Sequence, residues 1–332
     1  METPTDTSAT HHRSPRLQDL GLLVLCNLMF GAQYPATKTS VSSMGPVQLS
    51  FLTFLLGALC LTPFYIFETR AYPEQASPLT LFRGKNLFPF LMATVMGFLP
   101  ASVILAWGIE RSLAANAALL TLSIPVFTAM LASVVRDERM NRWRWLSFAL
   151  GITGAVICSE IDWRNLQMLN SRFLVGNALI LVGCSGSAFT NVYSKDLLER
   201  FQPIRLLVTS YLFTGLICLP LLIWLEPISW KVIQGYPRDA WIGLGVLGCF
   251  SWGISMVIFF RVLSRLEVTQ VSLSVYLLPF FGILLSAIFL KERITAAILG
   301  GGLLVLTGTT VILFADRRAE RKNRSLPESR QT

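Results

Sequence analysis

The side chains of this sequence that could do chemistry are mostly uncharged and sit inside apolar stretches. Asn27, Gln33 and Tyr34 fall in the first such stretch, Asn116 and Thr121 in the fourth, and Thr190, Asn191 and Tyr193 in the sixth. Gln270, Ser274 and Tyr276 fall in the ninth, and Trp107 and Trp252 add aromatic faces. Amides, hydroxyls and rings bind ligands; bond cleavage needs more, namely a nucleophile with a base, a carboxylate pair or a metal set. The only histidines, His11 and His12, stand in a polar N-terminal segment, and no Asp, Glu, Lys or Arg lies near the centre of an apolar stretch. The six cysteines, Cys26, Cys60, Cys158, Cys184, Cys218 and Cys249, lie in or at the ends of apolar stretches without metal-ligand spacing. The residues therefore point to binding without catalysis, with no metal and no cofactor.

The elements that must hold these groups are membrane helices. Hydrophobic residues make up 53% of the 332-residue chain and charged residues 14%, against about 25% charge in a soluble domain. Mean hydropathy is +0.58. The charges cluster, and between clusters run apolar segments of roughly 20 residues, the length that carries an α-helix across a ~30 Å hydrocarbon core. Lipid cannot satisfy backbone polar groups, so these segments must be helical. They do not alternate as barrel strands would. The pattern predicts ten helices, over 18–37, 46–67, 87–109, 113–134, 143–159, 173–194, 205–225, 240–263, 268–290 and 294–314. The first stretch has no small-residue cleavage site and reads as a permanent helix rather than a removed leader.

With the N-terminus cytoplasmic, twenty of the 28 Lys and Arg residues fall on the cytoplasmic side and eight on the other. The positive-inside rule then places both termini in the cytoplasm of a multi-pass cell-membrane protein. The net charge of +9 flanks helices rather than gathering on a soluble face. It implies a lipid bilayer and no nucleic acid as partner, with a monomer or homodimer as the assembly.

An internal repeat organises the chain. Arg111, Leu119, Pro125, Phe127, Leu131, Glu138, Arg139, Leu150, Thr153 and Gly154 recur 154 positions later as Arg265, Leu273, Pro279, Phe281, Leu285, Glu292, Arg293, Leu304, Thr307 and Gly308. Asn116 and Gln270 are mates at the same offset, and Thr37-Lys38 is echoed by Ser194-Lys195. Each half holds five helices, an odd number, so the second half enters the membrane from the opposite side. This inverted arrangement recurs in secondary transporters. The divisions expected are a polar tail over 1–17, a first repeat over 18–160, a second over 171–315 and a basic tail over 316–332.

The segment from Ser112 to Leu120, Pro125 to Ala129, Asp137-Glu138-Arg139, Gly151 and Gly154 resembles the EamA domain of the drug/metabolite transporter superfamily. So does the second copy, from Val271 to Gly282, then Lys291 to Thr295, Gly300 to Gly302 and Gly308. Gly31 to Lys38 resembles the glycine-to-lysine pattern of that family's first helix. The resemblance implies ten helices in two EamA repeats, cytoplasmic termini and transport of small metabolites. Phe30 stands where family members often carry tryptophan, and Thr53 is nearest to a common arginine.

The residues and the resemblance together predict a carrier of neutral or zwitterionic metabolites, amino acids or related compounds, working by alternating access and exporting its cargo. Its binding residues would be Asn27, Gln33, Tyr34, Asn116, Thr190, Asn191, Tyr193, Gln270, Ser274, Tyr276 and Trp252, with Pro125 and Pro279 as hinges. Each polar group has a plainer role as a helix–helix hydrogen bond, and each proline as a static kink. Glu138-Arg139 and Glu292-Arg293 read as capped turns, with gating as the alternative; Lys38 and Lys195 read as snorkelling or pairing at helix ends. Competing functions are a drug-like or nucleotide-sugar carrier, a channel and an intramembrane enzyme.

Overall fold

The computed structural model describes residues 17–41, 43–71, 77–111, 120–138, 141–158, 171–226 and 233–278, with isolated positions between 281 and 311. Among them every regular element is a helix. The first, α1, has two pieces, Leu17–Gly31 and Gln33–Val41, parted at Ala32. Pro35 has no N–H to give the Gly31 carbonyl, so the ladder lapses there. The sequence pattern had suggested one unbroken helix.

The helices α2 (Pro46–Ala71), α3 (Gly84–Glu110), α4 (Ile124–Val135) and α5 (Arg142–Cys158) complete the first half. The second half contributes α6 (Ser171–Leu198), α7 (Pro203–Leu225), α8 (Arg238–Leu263) and α9, which starts as Val268–Leu273 and tightens to a 3-10 turn over Ser274–Tyr276. Five of these, α2, α3, α6, α7 and α8, are long and apolar enough to cross a membrane. At 1.5 Å per residue a 25-residue helix is about 38 Å long, which exceeds the ~30 Å core.

Local chemistry sets the helix ends. Pro46 and Pro203 each open a helix, where the missing N–H costs nothing. The Asn141 side chain accepts the Arg144 N–H at 2.9 Å and caps α5, as its residue type predicts. Pro125 lies in the first turn of α4, behind a turn at Leu122 and Ser123. The bend expected inside that helix is therefore a break just ahead of it. Pro279 lies outside the described residues, as do Arg139, Glu292 and Arg293.

Ends that meet reveal how the halves are related. Asp19, at the start of α1, pairs with Arg265 just beyond α8 at 3.4 Å. Lys195, at the end of α6, donates to the carbonyls of Leu263 and Leu266 at 2.6 and 2.8 Å. The start of α1 and the end of α6 thus share one face of the bundle, here the N-terminal face, and the two halves run in opposite senses. Helix α3 packs on α6, α2 on α7, α8 on α1 and α2, and α4 on α6 and α9. The α3–α6 backbones touch: a Cβ added at Gly186 would lie 2.9 Å from the Gly97 carbonyl oxygen and the Ala101 nitrogen. Only glycine permits that approach.

Candidate functional site

Four rings from four helices meet at the middle of the bundle. Phe54 of α2, Phe98 of α3, Tyr211 of α7 and Trp252 of α8 make all six possible ring pairs, with centroids 5.2 to 6.3 Å apart. Phe54, Phe98 and Tyr211 are each 1% exposed. Phe98 and Trp252 stand 154 positions apart, the repeat offset itself, and Phe54 and Tyr211 stand 157 apart, the offset of Lys38 and Lys195. The four rings are therefore two pairs of repeat mates. Mates that touch must lie on the axis relating the two repeats, so the cluster sits on that axis. Aromatic pairs at these separations attract by about 0.5–1.5 kcal/mol each beyond burial. Together they fill the junction of the two repeats with packed apolar surface.

The backbone around two of the rings is π-helical rather than α-helical. Helix α3 runs as π-helix over Thr94–Phe98 and again over Pro100–Ile104, and α8 does so over Val246–Ser255. The two stretches overlap under the 154-residue offset. A π-turn shifts the helix register and often marks a functional position. Pro100 contributes by removing the N–H that would bond Met96. In α8 the Trp252 carbonyl accepts the Tyr211 hydroxyl, which ties α7 to the π-helical turn. Ser251 and Ser255 of the same turn donate to the carbonyls of Met29 at 3.3 Å and Cys26 at 2.8 Å, fixing α8 on α1.

Polar seams flank the rings. Asn27 is fully buried; its amide N–H groups reach the Leu23 carbonyl at 2.7 Å and the Ser274 hydroxyl at 2.9 Å. Its Oδ1 has no hydrogen-bond partner among the described residues, and so offers a buried acceptor between α1, α8 and α9. In the other seam Thr190 donates to the Ala93 carbonyl at 3.3 Å, and Asn191 donates to Thr128 Oγ1 at 3.4 Å. That joins α6 to α3 and α4.

The remaining residues singled out from the sequence are scattered. Tyr193 stacks on Phe189 at 5.9 Å and meets the exposed Phe88 at 5.8 Å, away from the axis. Tyr276 packs against Phe148 and Gly151 of α5. Its hydroxyl is buried without a partner among the described residues. Gln270 is buried in the first turn of α9, and Gln33 is half-buried just past the break in α1. Asn116 and the side chains of Tyr34 and Lys38 lie outside the described residues. Thus Asn27 meets Ser274, Thr190 and Asn191 share a seam, Trp252 reaches the axis, Tyr193 pairs with Phe88 and Phe189, and Tyr276 meets α5.

Sequence reasoning passed over Phe54, Phe98 and Tyr211, because rings in apolar runs look like ordinary core. The repeat offset was the signal: applied to the aromatics, it pairs Phe98 with Trp252 directly.

Charged groups bind the two repeats at their ends. The Glu138 carboxylate, just past α4, accepts the N–H groups of Val268 and Thr269 at 2.8 and 2.9 Å and the Thr269 hydroxyl at 2.6 Å. It thereby caps α9 of the other repeat. Arg144 pairs with Glu267, and Arg136 pairs with Asp196 and, at 3.1 Å, with Glu199. On the opposite face the Glu226 carboxylate, just past α7, accepts the N–H groups of Val47 and Gln48 at 3.2 and 2.9 Å and caps α2. Among the described residues no group of three or more His, Cys, Asp or Glu could hold a metal. The centre is thus uncharged and the charged contacts between the repeats lie at the helix ends.

Known proteins carry this architecture. The chain is 26% identical over 318 residues to a probable amino-acid metabolite efflux pump of Salmonella typhimurium, covering 90% of this chain and 95% of that one. It is 21% identical over 315 residues to an S-adenosylmethionine uptake transporter of Rickettsia conorii, covering 93% and 97%. A solved crystal structure superposes with a TM-score of 0.73 at 16% identity, covering 92% of this chain and all of that one, and shares the fold. The EamA-like transporter family matches residues 20–159 and 174–314, one copy for each inverted half. The chain is a multi-pass membrane transporter and belongs to the EamA-like transporter family.

Proposed function

We propose that this transporter moves neutral or zwitterionic small metabolites, amino acids or close relatives, out of the cell by alternating access between its two inverted repeats. The observation that carries the reading is the ring cluster of Phe54, Phe98, Tyr211 and Trp252 on the repeat axis. A plug built equally from both repeats parts on either side when the repeats rock. The groups beside it, Asn27 with Ser274 and Thr190 with Asn191, are uncharged. They suit amino, carboxyl or amide groups whose charges balance within the ligand. An unbalanced charge would meet no countercharge there and would pay heavily for desolvation. A channel would need a continuous polar path, which four packed rings oppose.

In this reading ten helices form two five-helix units over 18–160 and 171–315, with both termini cytoplasmic in the cell membrane and the N-terminal face inward. Asn27, Ser274, Thr190, Asn191 and Trp252 contact the substrate, and Pro125 and Pro279 serve as hinges. Amino-acid metabolites are the cargo named for the Salmonella relative and favour this class. The Rickettsia relative is named for uptake.

The test is a proteoliposome counterflow panel of amino acids, purines, sugars and quaternary amines, run with the reconstituted protein in both orientations. Exchange of amino acids, lost in Asn27→Leu, is the expected result. Exchange confined to sugars or to quaternary amines would refute the assigned class. No exchange of any compound by folded protein would refute the carrier reading.

A further inference from the structure

Two carboxylates bind the repeats together, one at each face, and they do so by the same chemistry. Glu138 belongs to the first repeat and holds the first turn of α9 in the second; Glu226 belongs to the second and holds the first turn of α2 in the first. Helix α1 runs from the N-terminal face to the far one, so α2 starts, and is capped, opposite the Glu138 site. We propose that Glu138 and Glu226 are alternating latches, each sealing one face of the transporter and each having to release its helix before that face can open. The proposal rests on the alternating-access reading above.

Several features distinguish these contacts from ordinary helix caps. A usual N-cap comes from the residue just before the helix, whereas these come from positions 130 and 178 residues away. Each carboxylate accepts two neighbouring N–H groups at the positive end of a helix, a charge-assisted arrangement stronger than a neutral bond. The local backbone is shaped to deliver it. Asp137 takes φ +54°, in the left-handed region. Aspartate tolerates that conformation better than most residues, and it turns the chain so that the next residue, Glu138, leaves α4 toward α9. At the other face a Cβ on Gly45 would overlap the Glu226 carboxylate, so glycine at the head of α2 is what admits the latch. Around Glu138 stand the Arg144–Glu267 pair, with Glu267 at the head of α9, and the Arg136 pairs to Asp196 and Glu199. Around Glu226, Tyr236 donates to Gln48 at 2.8 Å and Ser40 to the Ala240 carbonyl at 3.2 Å, again joining the two repeats.

The experiment uses the full chain with its six cysteines replaced and one reporter at a time. Ser194→Cys reports the N-terminal face, and Ser40→Cys the far face; both serines are buried when the faces are closed. Labelling by a membrane-impermeant maleimide is followed from each side of proteoliposomes. Glu138→Gln keeps the shape of the side chain but sets an amide N–H group against backbone donors. It is expected to raise Ser194→Cys labelling and lower Ser40→Cys labelling, shifting their ratio roughly tenfold, equivalent to about 1.4 kcal/mol. Glu226→Gln is expected to shift the ratio the other way, and the double variant to bring it back toward wild type. Milder variants guard against misfolding. Thr269→Ala removes one bond to Glu138 and is expected to follow Glu138→Gln; Gly45→Ala displaces Glu226 and is expected to follow Glu226→Gln. If wild type labels at both faces and no variant moves the ratio, the latches are refuted while alternation stands. If any latch variant raises labelling at both faces together, the contacts are merely structural and the proposal fails. If no reporter labels in any protein, alternation itself fails and the latches with it.

Discussion

Replacing Trp252 with alanine tests the idea that the ring cluster is the keystone of the bundle. The indole takes part in three of the six ring pairs, with Phe54 at 5.2 Å, Phe98 at 6.2 Å and Tyr211 at 6.3 Å. At about 0.5–1.5 kcal/mol per pair, the loss over three pairs is about 1.5–4.5 kcal/mol. Lipid already solvates apolar side chains, so packing rather than transfer from water supplies that energy. Thermal unfolding in detergent, followed by fluorescence-detected size exclusion, is expected to fall by on the order of 5–10 °C. Phe98→Ala is expected to match it, because Phe98 is the repeat mate and also takes part in three of the six pairs, one of them shared with Trp252, plus a contact with Phe260 at 6.4 Å. The double variant removes the shared pair only once, so its loss should fall short of the sum of the singles. Tyr193→Ala offers a comparison off the axis: it removes two ring pairs but is expected to spare exchange. A fall under 2 °C for Trp252→Ala would refute the keystone. So would additivity of Trp252→Ala and Phe98→Ala within about 0.5 kcal/mol, the range for independent sites.

Three further outcomes are expected. Gly186→Ala should lower thermal stability by about 1–3 kcal/mol, the usual cost of overpacking, because the added methyl meets the α3 backbone at 2.9 Å; an unchanged melting temperature would mean that α3 and α6 part easily. Lys195→Met should destabilise by about 2–3 kcal/mol through loss of charge-assisted bonds to the Leu263 and Leu266 carbonyls, and Lys195→Arg should recover part of that; equal melting of Lys195→Met and wild type would assign the lysine to snorkelling alone. Arg144→Glu and Glu267→Arg should each lower the melting temperature, and the double swap should restore most of it, because Arg144 is only 4% exposed and a lone buried charge costs several kcal/mol. Failure of the swap to rescue would place the energy elsewhere.

What the sequence determined by itself follows from a strong physical constraint. A backbone in lipid has to satisfy its own hydrogen bonds, so long apolar runs can only be helices, and composition alone makes this a helical membrane protein. The constant offset from Arg111 to Gly308, with an odd helix count in each half, implied the inversion seen in the meeting of Asp19 with Arg265 and of Lys195 with Leu266. Asn141 as a cap was likewise legible, since capping depends only on neighbours in the chain. The tertiary structure decided everything that depends on which helix faces become neighbours. Hydropathy is nearly uniform around these helices, so periodicity could not say that Tyr193 meets Phe88 and Tyr276 meets Phe148 while Asn27 meets Ser274 across 247 positions. Nor could it say that three unremarked rings, Phe54, Phe98 and Tyr211, converge with Trp252 where the repeats join. Glu138 shows the division most clearly. Its place at a helix end ahead of Asn141 read as part of a capped turn; only the packing of one repeat against the other revealed that its own carboxylate caps a helix of the other repeat.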